Sequence, residues 1–165
     1  GACFKGFFVS KAEIADWPLF NWLARLGRTI FADRSKRHQV KAVIREIEER
    51  LNDDHSVILF PEAQATDGTD VVPFKSAVFE AAVLANRPVI PVSIRYHDGN
   101  RPTIAHYGNS FFAHIIRLLK NPRLQATVMV LQKIPAGPNR QTLATQSYRV
   151  IRDKVIGASK NHRLP

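Results

Sequence analysis

Apolar and polar residues along this chain change period several times, from short β-branched or aromatic runs to stretches with apolar residues three and four apart. The plainest stretch is residues 40–51. There Val40, Val43, Ile44, Ile47 and Leu51 share one helical face, while Lys41, Arg45, Glu48 and Glu49 lie off it. That spacing predicts an amphipathic helix packed on a sheet. Upstream, residues 4–10 and 29–32 are apolar runs of strand length. Between them Trp17-Pro18 opens a compact helix, with Leu19, Trp22, Leu23 and Leu26 at helical spacing and Gly27 as its stop. Downstream, residues 56–60 read as a short buried strand. Residues 74–85 read as a buried helix in which Ala77, Ala81, Ala82 and Ala85 allow close approach. Residues 88–96 form a further strand, broken by Pro91 and closed by the turn His97-Asp98-Gly99-Asn100. Residues 111–120 predict a short helix, 125–132 a strand and 141–156 a terminal helix.

Strands and helices therefore alternate, which predicts an α/β fold: a mostly parallel central sheet flanked by helices. In such sheets the chemistry sits at the carboxyl ends of the strands. At 165 residues, with no repeat or linker, the chain is expected to form a single domain whose core needs neither disulfide nor metal. The lone Cys3 has no disulfide partner, which fits a reducing compartment. No apolar run approaches the roughly 18 residues of a membrane span, and the N-terminus lacks the pattern of a signal peptide.

Charge narrows the partners. A formal net charge of +10, from 24 Lys and Arg against 14 Asp and Glu, favours an anionic one: nucleic acid, lipid headgroups or a phosphorylated substrate. Nucleic acid is the weakest of these, because no docking motif or aromatic-basic interleaving accompanies the charge.

Three places could carry chemistry. Around Asp33-Arg34-Ser35-Lys36-Arg37-His38, cations gather where a strand turns into the amphipathic helix. A helix N-terminus already carries about half a positive charge, so cations there are unfavourable unless an anion is bound. Lys75 repeats the arrangement at the start of the alanine-rich helix. Glu62 follows the strand at 56–60 directly after Pro61, which removes a backbone donor and stops the ladder. If the sheet is parallel, Arg34, Glu62 and Lys75 gather at its carboxyl edge. Taken singly, each also fits a plain structural role, as a cap, an ion-pair partner or a solvated charge. No glycine-rich phosphate loop, dinucleotide fingerprint, zinc spacing or G-x-S-x-G elbow is present, so no metal site is expected.

The blocks Gly27-Arg28-Thr29-Ile30-Phe31-Ala32-Asp33-Arg34, Leu59-Phe60-Pro61-Glu62 and Val89-Ile90-Pro91-Val92-Ser93-Ile94 occur in that order. With Phe8 to Ile14 and Trp17-Pro18, the chain resembles the glycerolipid acyltransferases of the 1-acyl-glycerol-3-phosphate acyltransferase family over about residues 7–96. The blocks are similar to that family's G-x-x-F-I-x-R, F-P-E-G-T-R and V-I-P-V motifs.

The resemblance implies transfer of a fatty acyl group from acyl-CoA or acyl carrier protein, as co-substrate and without a resident cofactor, to a lysolipid hydroxyl. Substrate binding would fall to Arg34, Lys36, Glu62 and Lys75, with Arg34 on the acceptor's phosphate and Glu62 positioning its headgroup. The block from Val89 to Ile94 would line the acyl or acceptor site. It implies an anionic membrane surface as a partner, and a peripheral location on the cytoplasmic face of the membrane.

The chain departs from the family pattern twice. None of His38, His55, His97, His106, His114 and His162 is followed five positions later by aspartate, so the family's catalytic H-x-x-x-x-D is absent from these residues. The expectation is an N-terminally truncated sequence without catalytic residues of its own; the alternative is a non-catalytic lipid-binding or membrane-surface module on the same fold. Second, Ala63-Gln64-Ala65 stands where the motif has Gly-Thr-Arg, which removes a phosphate-clamping arginine and leaves as expected acceptors a lysophosphatidic acid-like lipid or a lyso-aminolipid such as a lyso-ornithine lipid.

Overall fold

The computed structural model describes residues 6–11, 29–32, 37–63, 70–98, 101–102, 116 and 120–161. Contacts group the chain into two compact units: Gly1–Pro61 with Lys75–Pro88 and Pro135–Leu143, and Glu62–Phe74 with Val89–Ile134 and Ala144–Pro165.

In the first unit, β1 (Phe7–Lys11) lies between β2 (Ile30–Ala32) and β3 (Val57–Ile58), and both pairings are parallel. Parallel strands of one sheet need a crossover, and α1 (Arg37–Asn52) provides it from β2 past β1 to β3. Its apolar face is the one the periodicity marks. Ile47, 2% exposed, joins Val9, Ile30 and Ala81 in the core, with Val43, Ile44 and Leu51 packed along the same side, whereas Lys41, Arg45 and Glu49 are exposed. The helix ends with Asp54 in the left-handed region (φ 62°), and the His55 N–H reaches back to the Arg50 carbonyl at 3.0 Å.

Two expectations for this unit change. The buried strand at 56–60 pairs only over Val57–Ile58, and Phe60 is 57% exposed. The helix at 74–85 contracts to a 3-10 turn, Ser76–Phe79, running into α2 (Glu80–Leu84). Lys75 is extended at one end, and Asn86, left-handed at φ 49°, closes the other with the Arg87 N–H on the Ala82 carbonyl at 2.9 Å. Phe79 and Ala81 are buried, but Leu84 is 54% exposed, so the element is one-sided rather than apolar all round.

In the second unit, β4 (Val92–Asp98) pairs with β5 (Arg101–Pro102) and β6 (Leu124–Val130), both antiparallel. Parallel pairing thus holds in one sheet and not in the other. Only two residues separate β4 from β5, too few for a crossover, and apolar periodicity carries no information on strand direction. Pro91, which has no N–H, accepts from Leu131 at 2.9 Å. Beyond it the ladder resumes at Val89 and Ile134, so that Ile90 and Pro91 face Leu131, Gln132 and Lys133 across a bulge.

The terminal helix α3 (Arg140–Asn161) is longer at both ends than the periodicity suggests. Asn139 caps it, its Oδ1 accepting the Thr142 N–H at 2.9 Å. The expected helix at 17–27 lies outside the described residues. Of that at 111–120 only residues 116 and 120 are described, with the Lys120 N–H on the Ile116 carbonyl at 3.0 Å. Among the described residues no helix is long and apolar enough to cross a membrane.

Candidate functional site

The chain leaves β3 through Leu59, Phe60 and Pro61 and turns at Glu62. Pro61 cannot donate, and its carbonyl accepts the Lys75 N–H at 3.0 Å, which joins the two ends of the intervening loop. Glu62 is half-buried, and its Oε2 accepts the Val72 N–H at 3.0 Å. One carboxylate oxygen is thereby fixed by the backbone, and Oε1 has no hydrogen-bond partner among the described residues. The next residue, Ala63, adopts φ 60°, a conformation natural to glycine and costly for a residue with a Cβ.

Further along the loop, Asp70 Oδ1 accepts its neighbour's N–H, that of Val71, at 2.7 Å. Both Asp70 oxygens also take the Arg152 guanidinium of α3, Nε at 3.0 Å and Nη2 at 2.9 Å. This bidentate pairing, followed by the Val71 N–H, holds the Asp70 carboxyl below the usual carboxylate range. Phe74 meets Tyr148 of the same helix edge-on, with centroids 5.7 Å apart. The loop after Glu62 is therefore anchored on α3 at two points.

Of the residues expected to bind substrate, Glu62 and Lys75 fall in different units, and each is described in its own surroundings. The Lys75 side chain is exposed, and the short turn it precedes lacks the length to build a helix dipole. Arg34 and Lys36 lie outside the described residues. The helix that follows them starts at Arg37 with no acid in its first turn, as the cationic cluster implies. The Asp70–Arg152 pair was not foreseen, since nothing in the local pattern links positions 82 apart. The left-handed Ala63 had a signal: the motif it departs from has glycine there. Among the described residues no cluster of three or more His, Cys, Asp or Glu could hold a metal.

Comparison with known proteins places these features. The Acyltransferase family matches residues 5–95, more than half of the chain. The chain belongs to that family. The matched part of this acyltransferase-family chain holds β1 to β3, α1 and the Glu62 turn, whereas Arg152 lies beyond it.

The lyso-ornithine lipid O-acyltransferase of Rhodobacter capsulatus is 33% identical over 92% of the chain and 58% of its own length. Its counterpart from Pseudomonas aeruginosa is 30% identical over 92% of the chain and 60% of its own. The 1-acyl-sn-glycerol-3-phosphate acyltransferase of Neisseria gonorrhoeae is 32% identical over 65% of the chain and 44% of its own. The chain thus spans about three-fifths or less of these curated relatives. Among solved structures, PlsC of Thermotoga maritima, a 1-acyl-sn-glycerophosphate (LPA) acyltransferase, superposes with a TM-score of 0.62 at 21% identity, over 98% of this chain and 59% of that one. That likeness confirms the α/β fold.

Proposed function

We propose that the protein carrying this chain moves a fatty acyl group from acyl-CoA or acyl carrier protein to the hydroxyl of a lysolipid at the cytoplasmic face of a membrane. The observation that carries the reading is Glu62. It stands at the carboxylate position of the F-P-E motif, with one oxygen fixed on Val72. A carboxylate held in this way is oriented before the ligand arrives, which suits positioning of a polar headgroup. In the reaction, a histidine of an H-x-x-x-x-D pair outside these residues takes the proton of the acceptor hydroxyl. The hydroxyl oxygen then attacks the thioester carbonyl, and the thiol of coenzyme A or carrier protein leaves with a proton. Arg34, Lys36 and Lys75 supply positive charge for the anionic groups of the acceptor or donor.

The acceptor we favour is a lyso-ornithine lipid. Ala63-Gln64-Ala65 lacks the arginine that would clamp a phosphomonoester, and two relatives aligned over 92% of the chain are named for lyso-ornithine lipid.

The test uses the full-length protein with lyso-ornithine lipid and lysophosphatidate as competing acceptors. Glu62→Gln keeps an oxygen for the Val72 N–H and removes the charge. It is expected to raise KM for the acceptor about tenfold, with an unfolding midpoint like that of the unaltered protein. Unaltered acceptor kinetics would remove Glu62 from the site. A full-length protein that binds lysolipid without transfer would favour the lipid-binding module instead.

A further inference from the structure

In an antiparallel pair, directly opposed residues share a face. On β4 and β6 the register opposes Val92 to Val130, Ile94 to Val128, Tyr96 to Ala126 and Asp98 to Leu124. The three pairs from Val92 to Tyr96 are apolar and Asp98 closes the row, yet Val130 is 59% exposed, Tyr96 43%, Ile94 40% and Val128 38%, and Ile90 in the adjoining bulge is 54% exposed. The opposite face pairs Ser93 with Met129, Arg95 with Thr127 and His97 with Gln125. There Ser93 is 2% exposed, and its hydroxyl has no hydrogen-bond partner among the described residues. Around Ser93 and Met129 the sheet is thus inverted relative to the usual pattern, with its more apolar face outward, while Gln125 and Thr127 at the other end of β6 are exposed as well. Contiguous apolar surface of this kind marks a binding face.

Charge identifies what binds. The segment 89–134 contains Arg95, Arg101, Arg117, Lys120, Arg123 and Lys133 against a single acid, Asp98. Lys120 and Arg123 stand before β6 and Lys133 after it, all three exposed. Cations at both ends of an apolar strand suit a surface that is anionic in its headgroups and apolar just beneath. A protein partner complementary to the row alone would not require the flanking cations. We propose that the outward face of β4 and β6, centred on Ile94, Val128 and Val130, is the surface by which this protein docks on an anionic phospholipid membrane. This rests on the membrane partner of the reading above and adds the face that meets it.

The test compares the unaltered full-length protein with three variants by co-sedimentation with phosphatidylglycerol-containing vesicles and with pure phosphatidylcholine vesicles. Val130→Asp places a carboxylate on the apolar face, and Gln125→Asp places the same charge on the opposite face of the same strand. Val130→Asp is expected to weaken binding to anionic vesicles about tenfold, and Gln125→Asp to change it much less. Val128→Asp should reproduce Val130→Asp, and circular dichroism should show all three folded. Equal binding by Val130→Asp and Gln125→Asp would overturn the face while leaving the membrane partner standing. Absence of vesicle binding by the unaltered protein would overturn both. If Val130→Asp instead dissociates a dimer or alters acyl-chain preference on detergent-dispersed substrate, with vesicle binding intact, the face belongs to a second copy or to the acyl site. Acyl transfer measured in detergent reports on the enzymatic reading independently of either vesicle result.

Discussion

Asp70 and Arg152, 82 positions apart in sequence, meet through two hydrogen bonds of 3.0 and 2.9 Å, one to each carboxylate oxygen. The pair is half-exposed, so screening limits its contribution, but its forked geometry makes it more effective than an ordinary surface contact. It anchors the loop that begins at Glu62. Because the folded state lowers the Asp70 pKa from 3.8, its contribution is complete above that value and decays as the pH falls through the lower folded pKa. Arg152→Ala should therefore unfold at a lower temperature than the unaltered protein at neutral pH. The difference should shrink in strongly acid buffer and in about 1 M salt. Thermal unfolding followed across pH checks this, and a difference independent of both would assign the effect to packing.

Ala63 occupies a backbone conformation that costs a residue with a Cβ about 1–2 kcal/mol, while the greater freedom of glycine in the unfolded chain would cost folding about 0.5–1 kcal/mol. The first term is the larger. Ala63→Gly is expected to stabilise the protein by up to about 1 kcal/mol, read from the urea midpoint at constant m-value. Destabilisation would show that the turn relaxes away from φ 60° in solution.

A side chain cannot be added at Gly6 without movement. Its Cβ would stand 2.7 Å from the Ser56 carbonyl oxygen, the same oxygen that accepts the Phe7 N–H at 2.9 Å. Backbone on both sides leaves nothing flexible to yield. Gly6→Ala should cost about 1–3 kcal/mol and loosen the β1–β3 pairing, visible as faster amide exchange at Phe7.

Asn139 takes both the backbone N–H and the hydroxyl of Thr142, at 2.9 and 3.1 Å. Asn139→Ala removes the cap and is expected to cost about 1 kcal/mol, whereas Asn139→Asp should retain the stability. Chemical denaturation of the two variants separates a cap from a merely polar surface position.

Much of the first unit was legible from local order. Val43, Ile44, Ile47 and Leu51 recur at helical spacing because one face of α1 must leave water, and that requirement is written in neighbouring positions. The short strands around it follow for the same reason. The strand direction of β4 to β6 was not legible, since a parallel and an antiparallel strand present the same alternation.

At the site, the order of motifs was enough to single out Glu62, and the cationic start of α1 was apparent from charge alone. What holds the Glu62 carboxylate was not, because a backbone N–H is available at every non-proline position and only the folded turn selects that of Val72. Residue order thus determined the elements, the family likeness and the candidate carboxylate, all of which depend on near neighbours. Tertiary structure alone decided the Asp70–Arg152 clasp and the outward turn of the apolar face of β4 and β6. Each of these depends on which distant segment occupies a given side of the chain, and that is a property of packing, not of sequence spacing.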